Sequence, residues 1–289
     1  MFSALHNRNF RLLWIGSLSA FVGFFASNVV QSVVAFQLTS SNRSVGEVVF
    51  GRGLAQLLLA PIGGALADRL SKRNILVSSQ ALTALVFFWL AWLTSLGTLR
   101  VGHLTAGGFL IGMTFSVLGP TRSAYVIEIV EPEARGNAIA MNQVALNASR
   151  VAGPAIAGLL LALPGLGASG AFVMMGLAYL GAVATQYFLP RTVPNPEASR
   201  RGLLADVADG VRYVGTHKRL KALLLMFGLS VMFGFPYVTV LPGLVEHQLG
   251  LPSSQVSVLF GISAVGGLAA SVLIAKVADS PYMMRAYVL

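Results

Sequence analysis

The chain has 289 residues, of which 55% are hydrophobic and only 10% are charged, and its formal net charge is +10. Soluble domains carry about 25% charged residues, so this composition excludes an ordinary soluble domain and indicates an integral membrane protein. The basic residues lie between long apolar runs, which favours contact with an anionic membrane leaflet over contact with nucleic acid. Cysteine is absent, which excludes disulfides and thiolate metal sites.

Eight apolar runs follow one another along the chain, each near the length of about 20 residues that crosses a bilayer. The predicted spans are 12–38, 45–67, 74–96, 103–127, 137–162, 168–189, 221–245 and 255–277. We therefore predict an all-α bundle of about eight transmembrane helices.

The longest separator between spans, 190–220, is predicted to be an exposed linker. Its second part places Leu203, Leu204, Val207, Val211 and Val214 on one helical face, which predicts an amphipathic helix along the membrane surface. The alternative is a helix that packs against loops of the same protein.

The distribution of Lys and Arg predicts the orientation. With the N-terminus inside, 15 basic residues lie on the cytoplasmic side, and only Arg43 and Arg100 lie on the other side. This bias predicts a multi-pass protein of the bacterial inner membrane with a cytoplasmic N-terminus.

An internal repeat links two parts of the chain. The segment that ends at Asp68 resembles the segment that ends at Asp279, 211 residues later, and repeated halves are common in secondary transporters. The predicted organisation is an N-terminal six-helix bundle at 1–190, a linker at 191–220, the first two helices of a second bundle at 221–279, and a tail at 280–289 that leaves the pattern.

Residues 64–73, GALADRLSKR, resemble the loop between helices 2 and 3 of the major facilitator superfamily, Gly-x-x-x-Asp-Arg-x-Gly-Arg-Arg/Lys. The matching residues are Gly64, Asp68, Arg69, Lys72 and Arg73, while Ser71 stands where glycine is usual. The resemblance implies a conformational latch that is remade as the protein alternates its access. The alternative is a positive-inside turn with incidental charges.

Residues 120–162 resemble the helix 4–5 region of one branch of that superfamily, the transmembrane secretion effectors, which are enterobactin-exporter-like and macrolide-efflux-like carriers. Gly153, Pro154 and Gly158 match the helix 5 motif of its proton-coupled antiporters. The resemblance implies a twelve-helix efflux carrier for drugs or siderophore-like molecules, here shortened to about eight helices. The rival hypothesis is a truncated, non-transporting membrane protein, either a pseudogene-like fragment or a partner subunit that self-associates.

Arg150 lies near the middle of the fifth span, where an unpaired cation costs about 2.5–3.5 kcal/mol on insertion scales. It is therefore predicted to face the bundle interior or a cavity. One hypothesis is contact with an anionic substrate or a titrating acid, and the other is a polar network with Asn147, Asn142 or Gln143.

Other polar residues within spans are further candidates for substrate or proton coupling. Asn28 and Gln31 are the polar candidates of the first span. Arg122 is predicted to pair with Glu128 or Asp68.

No Asp or Glu lies at the middle of a predicted span. In the branch that the sequence resembles, helix 1 commonly carries an acid after a glycine, whereas here Phe24 follows Gly23. Arg52 is predicted to pair with Glu47.

Other chemistries are poorly supported. The histidines lack metal-ligand spacing, and the glycine-rich stretch 107–112 lacks the Lys-Ser/Thr of a nucleotide loop. The sequence predicts no enzyme activity, metal or cofactor. The predicted partners are a small-molecule substrate, protons and the lipid bilayer.

Overall fold

The computed structural model describes residues 3–163, 165–192, 210, 212–234, 237–250, 259 and 262. The helices in these ranges are α1 (Arg8–Thr39), α2 (Asn42–Arg69), α3 (Lys72–Ser95), α4 (Val101–Ile129), α5 (Arg135–Ala162), α6 (Gly167–Tyr187), α7 (Lys218–Gly234) and α8 (Tyr237–His247), with short 3-10 helices at Ser3–His6 and Pro132–Ala134. The described residues contain no strand. The predicted all-α fold is confirmed.

Five of these helices are long and apolar enough to cross a membrane, namely α1, α3, α4, α5 (counted from Pro132) and α6. The 28 residues of α2 extend about 42 Å at the usual helical rise, enough for a hydrocarbon core of about 30 Å. The first six helices therefore occupy the first six predicted spans, and the protein crosses the membrane several times.

The seventh predicted span, 221–245, is covered by two helices, α7 and α8, and not by one. Pro236 lies between them in sequence, and proline removes a helical hydrogen bond. The eighth predicted span, the second repeat copy and the tail lie outside the described residues apart from Leu259 and Ile262, and so does most of the predicted amphipathic helix.

The turns alternate between the two ends of the bundle. Arg8, the α2–α3 turn and the α4–α5 turn lie at one end, here called the N-terminal side. Ser40, Gly97 and Gly165 lie at the other end, the far side. All three adopt positive φ angles, of 52°, 68° and 84°, which allow sharp reversals of the chain.

Helix α1 occupies the centre of the six-helix bundle. It packs against α2, α5 and α6, while α2 packs against α4, and α3 packs against α4 and α6. Buried apolar residues from these helices form the main cluster, which includes Val33, Phe87, Leu104 and Phe172.

Glycines let the α2 and α4 backbones approach closely. A Cβ at Gly63 would lie 2.6 Å from the carbonyl oxygen of Ser116, and one at Gly112 would overlap the carbonyl oxygen of Arg52. Small residues allow such packing in lipid, where apolar side chains gain little from leaving the solvent. Part of the glycine-rich stretch 107–112 therefore serves helix packing.

Candidate functional site

A buried arginine from α2 joins three polar side chains of α1. The guanidinium of Arg52 donates to Oδ1 of Asn28, to Oε1 of Gln31 at 2.9 Å and to Oγ of Ser27 at 3.3 Å. Arg52 is only 7% exposed, and its guanidinium carbon lies 5.4 Å from the centre of the Phe24 ring. The predicted coupling candidates Asn28 and Gln31 thus meet around one cation.

The predicted pairing of Arg52 with Glu47 was wrong. Glu47 pairs with Arg43 at 3.1 Å, one helical turn away on the surface of α2. Because that short-range pair is available at the helix end, Glu47 need not approach the buried guanidinium.

Arg150 approaches α1 from α5. Its guanidinium carbon lies 5.8 Å from the centre of the Phe25 ring, and the Phe24 and Phe25 rings stand edge to face at 5.5 Å. The side chain is exposed and makes no hydrogen bond to any described residue. The structure therefore places Arg52 and Arg150 each beside one ring of the same aromatic pair.

The amides predicted to surround Arg150 are not bonded to it in the described part of the chain. Asn147 is half-buried, and Gln143 is exposed. The side-chain oxygen of Asn142 is buried and lacks a hydrogen-bond partner there. This leaves the guanidinium and the amides of α5 available to other groups.

The helix 5 motif lies where α5 meets α1. A Cβ at Gly153 would come within 2.6 Å of Cβ of Phe25 and 2.8 Å of the backbone nitrogen of Ala26. Pro154 is buried next to this contact, and Gly158 is half-buried one turn later. The motif thus brings the α5 backbone against the Phe25 segment of α1. This contact sets the distance between Arg150 and Phe25.

Arg122 lies closer to the N-terminal side, in α4. It is 6% exposed, and its guanidinium carbon lies 4.3 Å from the centre of the Phe21 ring. Its Nε has no hydrogen-bond partner among the described residues. Glu128, one of its two predicted partners, pairs with Lys72 instead.

The predicted latch lies at the α2–α3 turn. Gly64, Asp68 and Arg69 belong to the last turns of α2, and Lys72 begins α3. Lys72 is 6% exposed, and its Nζ lies 2.5 Å from Glu128 at the end of α4. The turn is therefore clamped to α4 by an ion pair.

Two further contacts fix the start of α3. The backbone nitrogen of Lys72 donates to Oγ1 of Thr192 at 2.9 Å, and the Arg73 guanidinium carbon lies 4.7 Å from the centre of the Tyr187 ring. By contrast, a Cβ at Gly64 would meet no atom within 4 Å. Its predicted role in close helix approach has no partner among the described residues.

At the far side α8 contacts the α1–α2 turn, a contact that sequence reasoning missed. The backbone nitrogen of Gly243 donates to Oδ1 of Asn42 at 3.2 Å, and the His247 and Phe36 rings lie 5.8 Å apart. Val245 is 1% exposed and joins the main apolar cluster. Helix α7, in contrast, is exposed at nearly all the positions whose side chains are described.

Within the described residues, no three His, Asp or Glu side chains come together as metal ligands. The groups that the fold assembles in the membrane are therefore guanidiniums, amides and aromatic rings.

Comparisons with known proteins show the family of the chain. The family model described as transmembrane secretion effector matches residues 1–281. The staphyloferrin A transporter of Staphylococcus aureus is 28% identical over 262 residues, covering 88% of this chain and 64% of the relative. The multidrug resistance protein MdtH of Cronobacter sakazakii is 30% identical over 157 residues, covering 52% of this chain and 36% of the relative.

A solved structure supports the fold alone. The crystal structure of a D-xylose-proton symporter matches with a TM-score of 0.59 and 18% identity, covering 94% of this chain and 69% of that one. The chain spans 64% or less of the length of the two curated relatives. The family match covers nearly the whole chain, and the chain therefore belongs to the transmembrane secretion effector family of major facilitator transporters.

Proposed function

We propose that the protein is a secondary efflux carrier that exports a drug or siderophore-like small molecule from a bacterial cytoplasm by alternating access. The observation that carries this proposal is the far-side contact of α8 with the α1–α2 turn. Asn42 and Phe36 hold α8 against this end of the six-helix bundle. Alternating access requires a contact of this kind to form in one state and to break in the other.

The positive-inside bias of the sequence supports a cytoplasmic location for the N-terminal side. In that orientation the α8 contact lies on the outer side, and the proposed carrier loads its substrate from the cytoplasm. An exporter must load its substrate from this side. The relatives named for staphyloferrin A and for multidrug resistance support export of small molecules.

The loop 64–73 acts in this proposal as the latch of the cytoplasmic side. The Lys72–Glu128 ion pair holds the turn against α4, and no described atom lies within 4 Å of a Cβ at Gly64. Asp68, in the last turn of α2, supplies the charge of a latch contact that breaks and forms again as the two states exchange.

Protons are the proposed coupling ion, as in the antiporters whose helix 5 motif the chain resembles. Among the described acids at the far side, Glu47 is half exposed and paired with Arg43, and Glu246 is exposed in α8. Both lie in the helices that meet in the α8 contact.

The test is efflux of a pre-loaded fluorescent dye from energised bacteria that lack their own main efflux pumps. Rhodamine 123 and 5-carboxyfluorescein, a cation and an anion, cover both charge classes. Cells that express the chain should lose at least one dye faster than control cells, and a protonophore should abolish the difference. A difference that persists after the protonophore would contradict proton coupling. Absence of efflux of either dye would contradict the proposal and favour a membrane protein that does not transport by itself.

Asp68→Asn should lower the efflux rate about tenfold while the protein still inserts, because the latch charge is lost. Glu133→Gln is the matched control, since it removes an exposed carboxylate from the same side of the bundle. Western blotting of membrane fractions verifies equal amounts. Normal efflux by Asp68→Asn would show that the loop has no role in the cycle.

A further inference from the structure

The membrane-embedded centre of this protein carries two cations on one aromatic pair. Arg52 from α2 lies against Phe24, and Arg150 from α5 lies against Phe25, each guanidinium carbon within 6 Å of a ring centre. Phe24 and Phe25 are neighbours in α1 and are themselves in contact. Ring faces attract cations, so the pair stabilises both guanidiniums without neutralising them.

No described carboxylate offsets this charge. Glu47 and Glu246 lie at the far side, and Glu128, Glu131 and Glu133 lie at the N-terminal side. Among the side chains that the structure describes, Arg52, Arg122 and Arg150 lie between the two ends of the bundle, and no acid does. These described charges make the electrostatic potential at the Phe24–Phe25 pair positive.

The two arginines beside the pair differ in whether their N–H donors are free to bind another group. Arg52 is buried and bonded to Ser27, Asn28 and Gln31, so its donors are engaged. Arg150 is exposed and makes no hydrogen bond within the described residues. Gln143 and Asn147 precede Arg150 by seven and three positions, which places all three on one face of α5.

We propose that the transported molecule is an anion whose carboxylate or comparable oxyanion is bound by Arg150. This inference rests on the proposed function and specifies the substrate class of that site. The planar guanidinium binds a carboxylate through two parallel N–H donors, and the amides of Asn147 and Gln143 supply further donors on the same face. Arg52, beside the neighbouring Phe24 ring, acts as a positioning residue that keeps the potential positive.

The test compares two dyes that share a xanthene ring and differ in charge. Binding of 5-carboxyfluorescein, an anion, and rhodamine 123, a cation, is measured by fluorescence anisotropy with the purified 289-residue chain in lipid nanodiscs. We expect the anion to bind at least about tenfold more tightly than the cation. Stronger binding of rhodamine 123, equal binding of the two dyes, or no binding of 5-carboxyfluorescein would overturn the inference.

Substitutions of Arg150 test whether its charge binds the anionic dye. Arg150→Gln should weaken binding of 5-carboxyfluorescein about tenfold, and Arg150→Lys should retain part of it because the charge remains. Arg11→Gln is the matched control, since it removes an exposed cation near the N-terminal end of α1. Size-exclusion chromatography and thermal unfolding verify that each variant is folded. Unchanged binding by folded Arg150→Gln would overturn the assignment.

The same dyes separate this inference from the proposed function. Binding of 5-carboxyfluorescein that depends on Arg150 upholds the anion site at Arg150 even when cells show no efflux, a combination that contradicts export. Efflux of rhodamine 123 without binding of 5-carboxyfluorescein would leave export standing and overturn the anionic substrate.

Discussion

A disulfide between residues 42 and 243 is expected to stop transport completely. A Cβ at Gly243 would lie 2.8 Å from Cγ of Asn42, which places the Cβ atoms of Asn42→Cys and Gly243→Cys about 4 Å apart, within disulfide range. The chain has no native cysteine, so no other thiol competes. The bond would hold α8 against the α1–α2 turn and prevent the far side from opening.

Dye efflux from cells measures the effect, before and after oxidation and again after dithiothreitol. Efflux should fall to background with the oxidant and return with the reductant, while each single-cysteine variant stays unaffected. Full efflux from the cross-linked protein would show that the far-side contact does not have to open. Failure of the cysteines to cross-link would show that α8 does not close this end in the membrane.

Gly112→Ala is expected to produce the largest loss of stability from a single methyl group. A Cβ at this position would overlap the backbone carbonyl oxygen of Arg52, and a backbone atom cannot swing aside as a side chain does. The α2 and α4 helices must therefore separate, which also displaces Arg52 from Asn28 and Gln31. Overpacking of this kind costs about 1–3 kcal/mol, corresponding to roughly 2–12 °C in unfolding temperature.

Gly119→Ala is the matched control for Gly112→Ala. It adds the same atom to the same helix, and nothing lies within 4 Å of the added Cβ. Thermal unfolding in detergent, followed by the loss of monodisperse protein, should show a lower temperature for Gly112→Ala alone. Equal unfolding temperatures for the two variants would contradict the close approach of α2 and α4.

Apolar run length was enough to place the first six helices. The predicted spans 12–38 and 103–127, for example, lie inside α1 and α4, because helix length in a membrane follows bilayer thickness. The helix ends extend beyond the spans by one to four residues on each side in these two cases, since polar residues continue a helix after the apolar run has ended.

Side-chain partners were harder to predict than helices. The sequence singled out Asn28, Gln31 and Arg150, but it paired Arg52 with the nearest acid and missed its neutral acceptors on α1. An acid that is near in sequence is a poor guide to the partner of a buried arginine when the neighbouring helix presents several neutral acceptors together. The Asn42–Gly243 contact left no pattern in the sequence, because it joins residues 201 positions apart through a backbone group.

The Arg52 cluster has a consequence for how the chain enters the membrane during synthesis. The three acceptors of Arg52 all lie on α1, which precedes α2 and is joined to it by only two residues. The guanidinium therefore finds its partners as soon as α2 arrives, and α1 and α2 can partition into lipid together as a helical hairpin. Arg150 has no such early partner, so α5 must enter beside a hairpin that already displays the Phe25 ring.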